Sequence, residues 1–193
     1  DALLRVFDRR TAESSDFDLN PEVSLPPGRK LRAAAVLIAV CDTPEGAQVI
    51  LTKRSSRLKH HPGQIAFPGG KIDDSDESPE AAALREAWGE IGLPPDRVQI
   101  LGRLGTHETV TSYSIIPILS LVRDAFTPTP ERGEVEEVFS VPLAHVLDRS
   151  RYIVEGRIWK GQPRQYYAVP YGPYYIWGAT ARILRGLAER AAQ

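Results

Sequence analysis

The residues of this chain best suited to chemistry fall in one short run, a Gly69-Gly70 turn followed by a helix carrying Arg85, Glu86 and Glu90. Carboxylates four residues apart on a helix are surface neighbours and repel each other, so the pair needs solvent or a cation between them. Mg²⁺, a hard divalent ion that prefers oxygen ligands, would fill that role. An isolated Glu pair usually reads as a solvated helix face. Here the context reverses that reading, because Phe67-Pro68-Gly69-Gly70 leads into a loop bearing Asp73, Asp74, Asp76 and Glu77 directly before the helix. Two consecutive glycines let backbone approach a ligand, and the loop delivers the chain to a helix N-terminus, so the run reads as a metal and pyrophosphate site.

A basic cluster lies just upstream: Arg54, Arg57, Lys59, His60 and His61. Beside an acidic site it points to phosphate recognition, since the guanidinium fork matches phosphate oxygens. His60 and His61 are weaker metal candidates, because adjacent side chains diverge and no Cys or distant His stands at suitable spacing. Glu134, Glu136 and Glu137 are a further carboxylate source, although their partial alternation with apolar residues also reads as a solvated strand end.

These groups need elements to hold them. Ser78 suits an N-cap, Pro79 a first helical position, and Gly92 before Pro94 a stop, which predicts a helix over Pro79 to Ile91. At about 100° per residue, Leu84, Ala87, Trp88 and Ile91 share its apolar side, opposite Ala82, Glu86, Gly89 and Glu90. The runs Ala33 to Val40 and Gln48 to Thr52 read as a hairpin joined by Asp42-Thr43-Pro44-Glu45-Gly46, with Lys53 and Arg54 at its end. Val98 to Leu104 and Ile115 to Val122 read as strands, Pro117 marking the second as irregular or an edge. Glu134 to Val141 is a further strand, and Pro142 to Leu147 one or two helical turns. Tyr152 to Ile158 and Gln165 to Val169 form a strand pair joined by Lys160-Gly161-Gln162-Pro163. Ile176, Ala179, Ile183, Leu184 and Leu187 recur as a terminal packing helix. The aromatic group Tyr166, Tyr167, Tyr171, Tyr174, Tyr175 and Trp177 reads as core rather than as a base-stacking platform. Residues 1–30 read as a short helix, carried by Ala2, Leu3, Leu4, Val6 and Phe7, and a polar connector. Strands with a central and a terminal helix are consistent with a mixed sheet between helices.

Gly70, a loop acid, then Arg85-Glu86-Ala87-Trp88-Gly89-Glu90-Ile91-Gly92-Leu93 resembles the Nudix box. The spacing from Gly70 to Arg85 is one residue longer than in the usual box. That spacing, with Leu51-Thr52-Lys53-Arg54-Ser55 and Gly63-Gln64-Ile65-Ala66-Phe67-Pro68-Gly69-Gly70, is similar to the coenzyme A pyrophosphatase branch of the family. The resemblance implies an α/β/α sandwich with a mixed β-sheet, with the box region over residues 64–93. It also implies hydrolysis of coenzyme A or its acyl thioesters, with Mg²⁺ or Mn²⁺ held by Glu86 and Glu90. Arg85 would then orient a box carboxylate, Gly69 and Gly70 would let backbone near the substrate, and Arg54 and Arg57 would take its phosphates. At one position the chain departs from the box: Gly89 stands where the family has a metal-binding Glu. Two other readings stay open, a hydrolase of another nucleoside diphosphate derivative such as ADP-ribose or a dinucleotide, and a catalytically silent Nudix-fold binding module.

The whole chain is compatible with this. Its 193 residues suit one domain, and 42% apolar with 25% charged residues is globular composition. A net charge of −1 supplies no bulk field to draw nucleic acid or an anionic membrane, so any anion must be held locally. Neither an apolar run of membrane-spanning length nor a signal-peptide pattern is present. The lone Cys41, at the end of an apolar run, reads as a structural thiol in a reducing, cytoplasmic setting. Met is absent even at position 1, as expected of a chain that begins inside a longer gene product. The expected partner is a small molecule, with a homodimer left open.

Overall fold

In the computed structural model, which describes residue 3 and residues 12–193, the chain passes through β1 (Ser14–Ser15), β2 (Arg32–Thr43), β3 (Gly46–Arg54), β4 (Ile65–Ala66) and β5 (Gly69–Lys71) into helix α1 (Pro79–Ile91). Strands β6 (Val98–Arg103), β7 (His107–Glu108), β8 (Tyr113–Val122) and β9 (Val135–Pro142) follow. Helix α2 (Leu143–Leu147), the hairpin of β10 (Ile153–Trp159) and β11 (Gln162–Ala168), and helix α3 (Gly178–Ala191) complete it. The predicted N-terminal helix lies, apart from Leu3, outside the described residues. The connector after it carries one short strand, β1, parallel to β7. Buried His107 holds that segment to the sheet, its two ring nitrogens 2.9 Å from Ser14 Oγ and 2.8 Å from Asp16 Oδ1.

The sheet is mixed and centred on β2. That strand runs parallel to β8 and antiparallel to β3 at one end and to β5 at the other. β9 lies on the outer side of β3, while β6 and β7 pair antiparallel with β8. The unbroken apolar run of β2 follows from burial on both faces. Ala35, Leu37 and Ala39 pack with Ala82, Ala83, Ala87 and Ile91 of α1. Ile38 and Val40 belong to the opposite layer, with Leu143 and Val146 of α2 and Ile183, Leu184 and Leu187 of α3. The result is an α/β/α sandwich.

Three expectations change here. Pro117 is buried within β8 rather than on an edge, at the point where β8 changes partner from β7 to β6. Its carbonyl accepts the Leu104 N–H on that side at 2.9 Å, and its missing N–H falls in the gap between the two ladders. Gly69-Gly70 is a strand, not a turn: both residues pair with β2, through Val36 and Ala35. The terminal helix begins at Gly178, so Ile176 packs from the segment before it.

Candidate active site

Helix α1 has the bounds its caps predict. The Ala81 N–H donates to Ser78 Oγ at 3.0 Å, Pro79 occupies the first turn, and Gly92 closes the helix at φ 70°, a left-handed conformation that favours glycine. The face it buries is rotated from the predicted one. Ala82, Ala83, Ala87, Glu90 and Ile91 are buried, whereas Trp88 is 55% exposed. Three alanines let the helix lie close on β2, and this choice of contact turns Trp88 outward and draws Glu90 into the interface. Glu86 and Glu90 therefore do not share one solvated face. Glu86 is half-buried, Glu90 is buried, and Gly89 is exposed with open space around it.

Both carboxylates rest on the backbone of β5. The Gly69 N–H donates to Glu90 Oε2 at 3.4 Å. A Cβ on Gly70 would stand 2.8 Å from Glu86 Cδ and 2.9 Å from Oε1. A Cβ on Gly69 would run into the Ala35 carbonyl and stand 2.7 Å from Val36 Cα. The glycines are thus required by contacts inside the protein, with the neighbouring strand and with Glu86.

Arg85 fastens this arrangement. Its Nη1 donates to Glu86 Oε1 at 2.8 Å, and its Nε and Nη2 form a fork on the two oxygens of Asp76, each at 2.8 Å. Nη2 also reaches the Lys71 carbonyl at 3.2 Å and pairs with Asp73 at 3.3 Å. One side chain joins the acidic loop, strand β5 and Glu86. The guanidinium holds the Asp76 carboxyl down to about 2, and the carboxylates in turn raise the Arg85 pKa.

Glu90 is the perturbed group. Burial pushes its carboxyl up to about 8, and the charges of Glu86 and, more weakly, Glu134 push the same way, while the Gly69 N–H and Arg54 oppose them. Burial and like charge favour a cation at this point. Among the described residues no three His, Cys, Asp or Glu side chains converge to enclose an ion by themselves. The pair therefore offers an open, oxygen-only donor set, and its chemistry suits a hard divalent ion with positions left for substrate and water. His60 and His61 are exposed on their loop. Of the further acids, Glu136 pairs loosely with Lys53 at 3.8 Å and Glu137 accepts from the Tyr174 hydroxyl. Glu134, immediately before β9, is the acid whose charge reaches Glu90. Sequence alone ranked the three together because which of them faces the helix depends on where β9 joins β3.

The two sequence stretches preceding the box are two arms of one hairpin. β3 and β4 pair through Thr52 with Ala66, the Arg54 N–H donates to the Gln64 carbonyl at 2.9 Å, and the Gly63 N–H returns to Arg54 at 3.1 Å. Arg54 Nη2 donates to the His60 carbonyl at 3.2 Å, and its charge reaches Glu90. Arg57 stands exposed farther along the loop, its N–H donating to Ser55 Oγ at 3.2 Å.

Comparison with known proteins places this geometry. Residues 30–159 match the NUDIX domain. The chain is 38% identical over 170 residues to the uncharacterized Nudix hydrolase NudL of Shigella flexneri serotype 5b, covering 88% of each. Among solved structures it is similar to RenU, a Nudix hydrolase from M. smegmatis, with a TM-score of 0.51 and 28% identity over 62% of this chain and 74% of that one. It also shares its fold with the NUDIX domain of Shewanella oneidensis NrtR, crystallised with ADP ribose, with a TM-score of 0.53 and 18% identity over 90% and 94%.

Proposed function

The chain belongs to the Nudix hydrolase family, and from that premise we propose that it is a divalent-metal-dependent pyrophosphatase of coenzyme A or acyl-coenzyme A. Water would attack one phosphorus of the diphosphate and the anhydride P–O bond would break. The products would be 4′-phosphopantetheine, or its acyl form, and adenosine 3′,5′-bisphosphate. The observation that carries the reading is the convergence of Glu86 and Glu90 on the β5 glycines, with Arg54 of the β3–β4 hairpin in electrostatic reach of Glu90. The hairpin's two arms are the stretches that resemble the coenzyme A branch.

Mg²⁺ or Mn²⁺ held by Glu86 and Glu90 would neutralise charge growing on the phosphate oxygens and lower the pKa of the attacking water. The remaining work belongs to the chain. Arg85 fixes the Glu86 carboxylate against Gly70, and the Gly69 N–H fixes one oxygen of Glu90. Arg54 supplies a guanidinium for a substrate phosphate, and Arg57 a second on the same loop. Gly89 withholds the carboxylate that the family motif has there, so turnover should be slow while substrate binding persists. That absence favours one other reading, a binding module without turnover. Incubation with coenzyme A and Mg²⁺ followed by product analysis tests the proposal: the two expected halves support it. Tight binding without either product under any divalent ion supports the module, and cleavage of ADP-ribose in preference to coenzyme A removes the substrate assignment. Its lone free thiol, Cys41, suits a reducing compartment, and on that ground we propose a cytoplasmic location.

A further inference from the structure

A cavity of about 560 Å³ lies beside the β3–β4 hairpin, lined by Lys53, Gln64, Glu137, Arg157, Tyr175 and Trp177. Its character is unusual for a surface cleft in an α/β sandwich. Trp177 sits between two tyrosines, with ring centroids 4.8 Å from Tyr166 and 6.5 Å from Tyr175, and the Arg157 guanidinium lies 5.0 Å from the Trp177 centroid. Hydrogen bonds lock the tyrosines: Tyr175 donates to Glu155 at 2.6 Å and the Tyr166 hydroxyl lies 3.1 Å from that of Tyr175. On the facing wall Tyr174 is stacked on Phe139 at 3.6 Å and donates to Glu137. These aromatics are therefore only partly core. Tyr167, Tyr171 and Tyr174 pack on the buried cluster, while Tyr166, Tyr175 and Trp177 build a wall.

The wall offers flat rings, two cations in Lys53 and Arg157, and acceptors in Glu137 and Gln64. A purine base uses rings and acceptors, and its phosphates use the cations. An acyl-pantetheine arm, long and apolar at its end, would find little here that matches it. The cavity lies next to Arg54: Gly63 and Gln64 line it, and both are hydrogen-bonded to the Arg54 backbone, at 3.1 and 2.9 Å, while the Arg54 charge reaches Glu90.

We propose that this cavity holds the nucleotide half of the substrate, its base against the Trp177–Tyr175 wall and its phosphates between Lys53 and Arg157, while the diphosphate bridges the strand end to Arg54 and the carboxylates. The assignment rests on the coenzyme A reading for the identity of the nucleotide, but its own test needs no turnover. Titration calorimetry with adenosine 3′,5′-bisphosphate and, separately, with 4′-phosphopantetheine should be run on the parent protein, Arg157→Glu, Trp177→Leu and Trp177→Phe. Arg157 is exposed on the β10–β11 hairpin, so its variant should fold. Arg157→Glu and Trp177→Leu should each weaken the bisphosphate about 10-fold or more, Trp177→Phe should restore most of the loss, and 4′-phosphopantetheine should bind all four alike. Unchanged bisphosphate affinity in Arg157→Glu and in whichever Trp177 variant folds overturns the assignment. So does a loss confined to 4′-phosphopantetheine. If the parent does not cleave coenzyme A yet its nucleotide binding still depends on Arg157 and Trp177, the cavity assignment stands and the coenzyme A reading falls.

Discussion

Strand β5 and helix α1 each place glycine beside the same carboxylates, for opposite reasons. On β5 the space is already taken: a Cβ at Gly69 meets the backbone of β2, and a Cβ at Gly70 meets the Glu86 carboxylate. On α1, a Cβ at Gly89 meets nothing within 4 Å. The first two glycines are demanded by the geometry they build. The third is not, and in a helix interior it costs about 1 kcal/mol relative to Ala. The contrast separates residues that shape the site from one that does not.

The largest expected effect is on the crowded side. Gly69→Ala drives a methyl into backbone, which cannot rotate away, and should destabilise the protein by about 3 kcal/mol, visible as a lowered denaturation midpoint. Gly70→Ala meets only the end of a flexible side chain. It should leave the fold intact, displace Glu86 and lower turnover about 100-fold, because a misplacement of about 1 Å at a catalytic group costs that much. Equal melting losses in the two variants would erase the distinction between them.

Glu90→Gln comes next, read on metal-free protein. The Glu90 carboxyl is raised in the fold, so the stability tied to its proton is fully present below the ordinary carboxylate range and is lost as pH rises from about 4.5 to about 8. The amide has no charge to bury. It should therefore match the parent at pH 4 and exceed it on the order of 2 kcal/mol at pH 7, while losing the rise in melting temperature that added Mn²⁺ gives the parent. A parent whose metal-free stability is flat between pH 4 and pH 8 would contradict the burial argument. The smallest effect is Gly89→Ala, which should raise stability by about 1 kcal/mol, about 2–4 °C in melting temperature, and leave turnover unchanged.

Much of this frame was legible beforehand, because its signals are local. The bounds of α1 follow from Ser78, Pro79 and Gly92, and the β2–β3 hairpin from two apolar runs around a turn. The misreadings share one cause, which is partner choice across the fold. Trp88 looked like core until the alanines of α1 proved to be the contact with β2. Gly69-Gly70 looked like a turn because two or three residues carry no strand period, and pairing with β2 is what makes them a strand. Pro117 is tolerated in the middle of the sheet only because two ladders happen to part there. Glu134 was singled out from Glu136 and Glu137 by the junction of β9 with β3, and the wall around Trp177 by the placement of β10 and β11. His107, which anchors Ser14 and Asp16, carried no sequence signal: its partners lie more than 90 residues away.

We propose that the site is built for diphosphate hydrolysis and lacks one carboxylate. Steady-state kinetics of the parent and Gly89→Glu with coenzyme A, across a Mg²⁺ titration, test it most directly. The open space at position 89 admits the side chain without repacking. Gly89→Glu should raise kcat by about 10-fold or more, saturate at lower Mg²⁺, and leave KM little changed, because an added metal ligand acts on the transition state rather than on substrate binding. Equal kcat values at saturating metal would show that position 89 is not a ligand in this protein and would contradict the account.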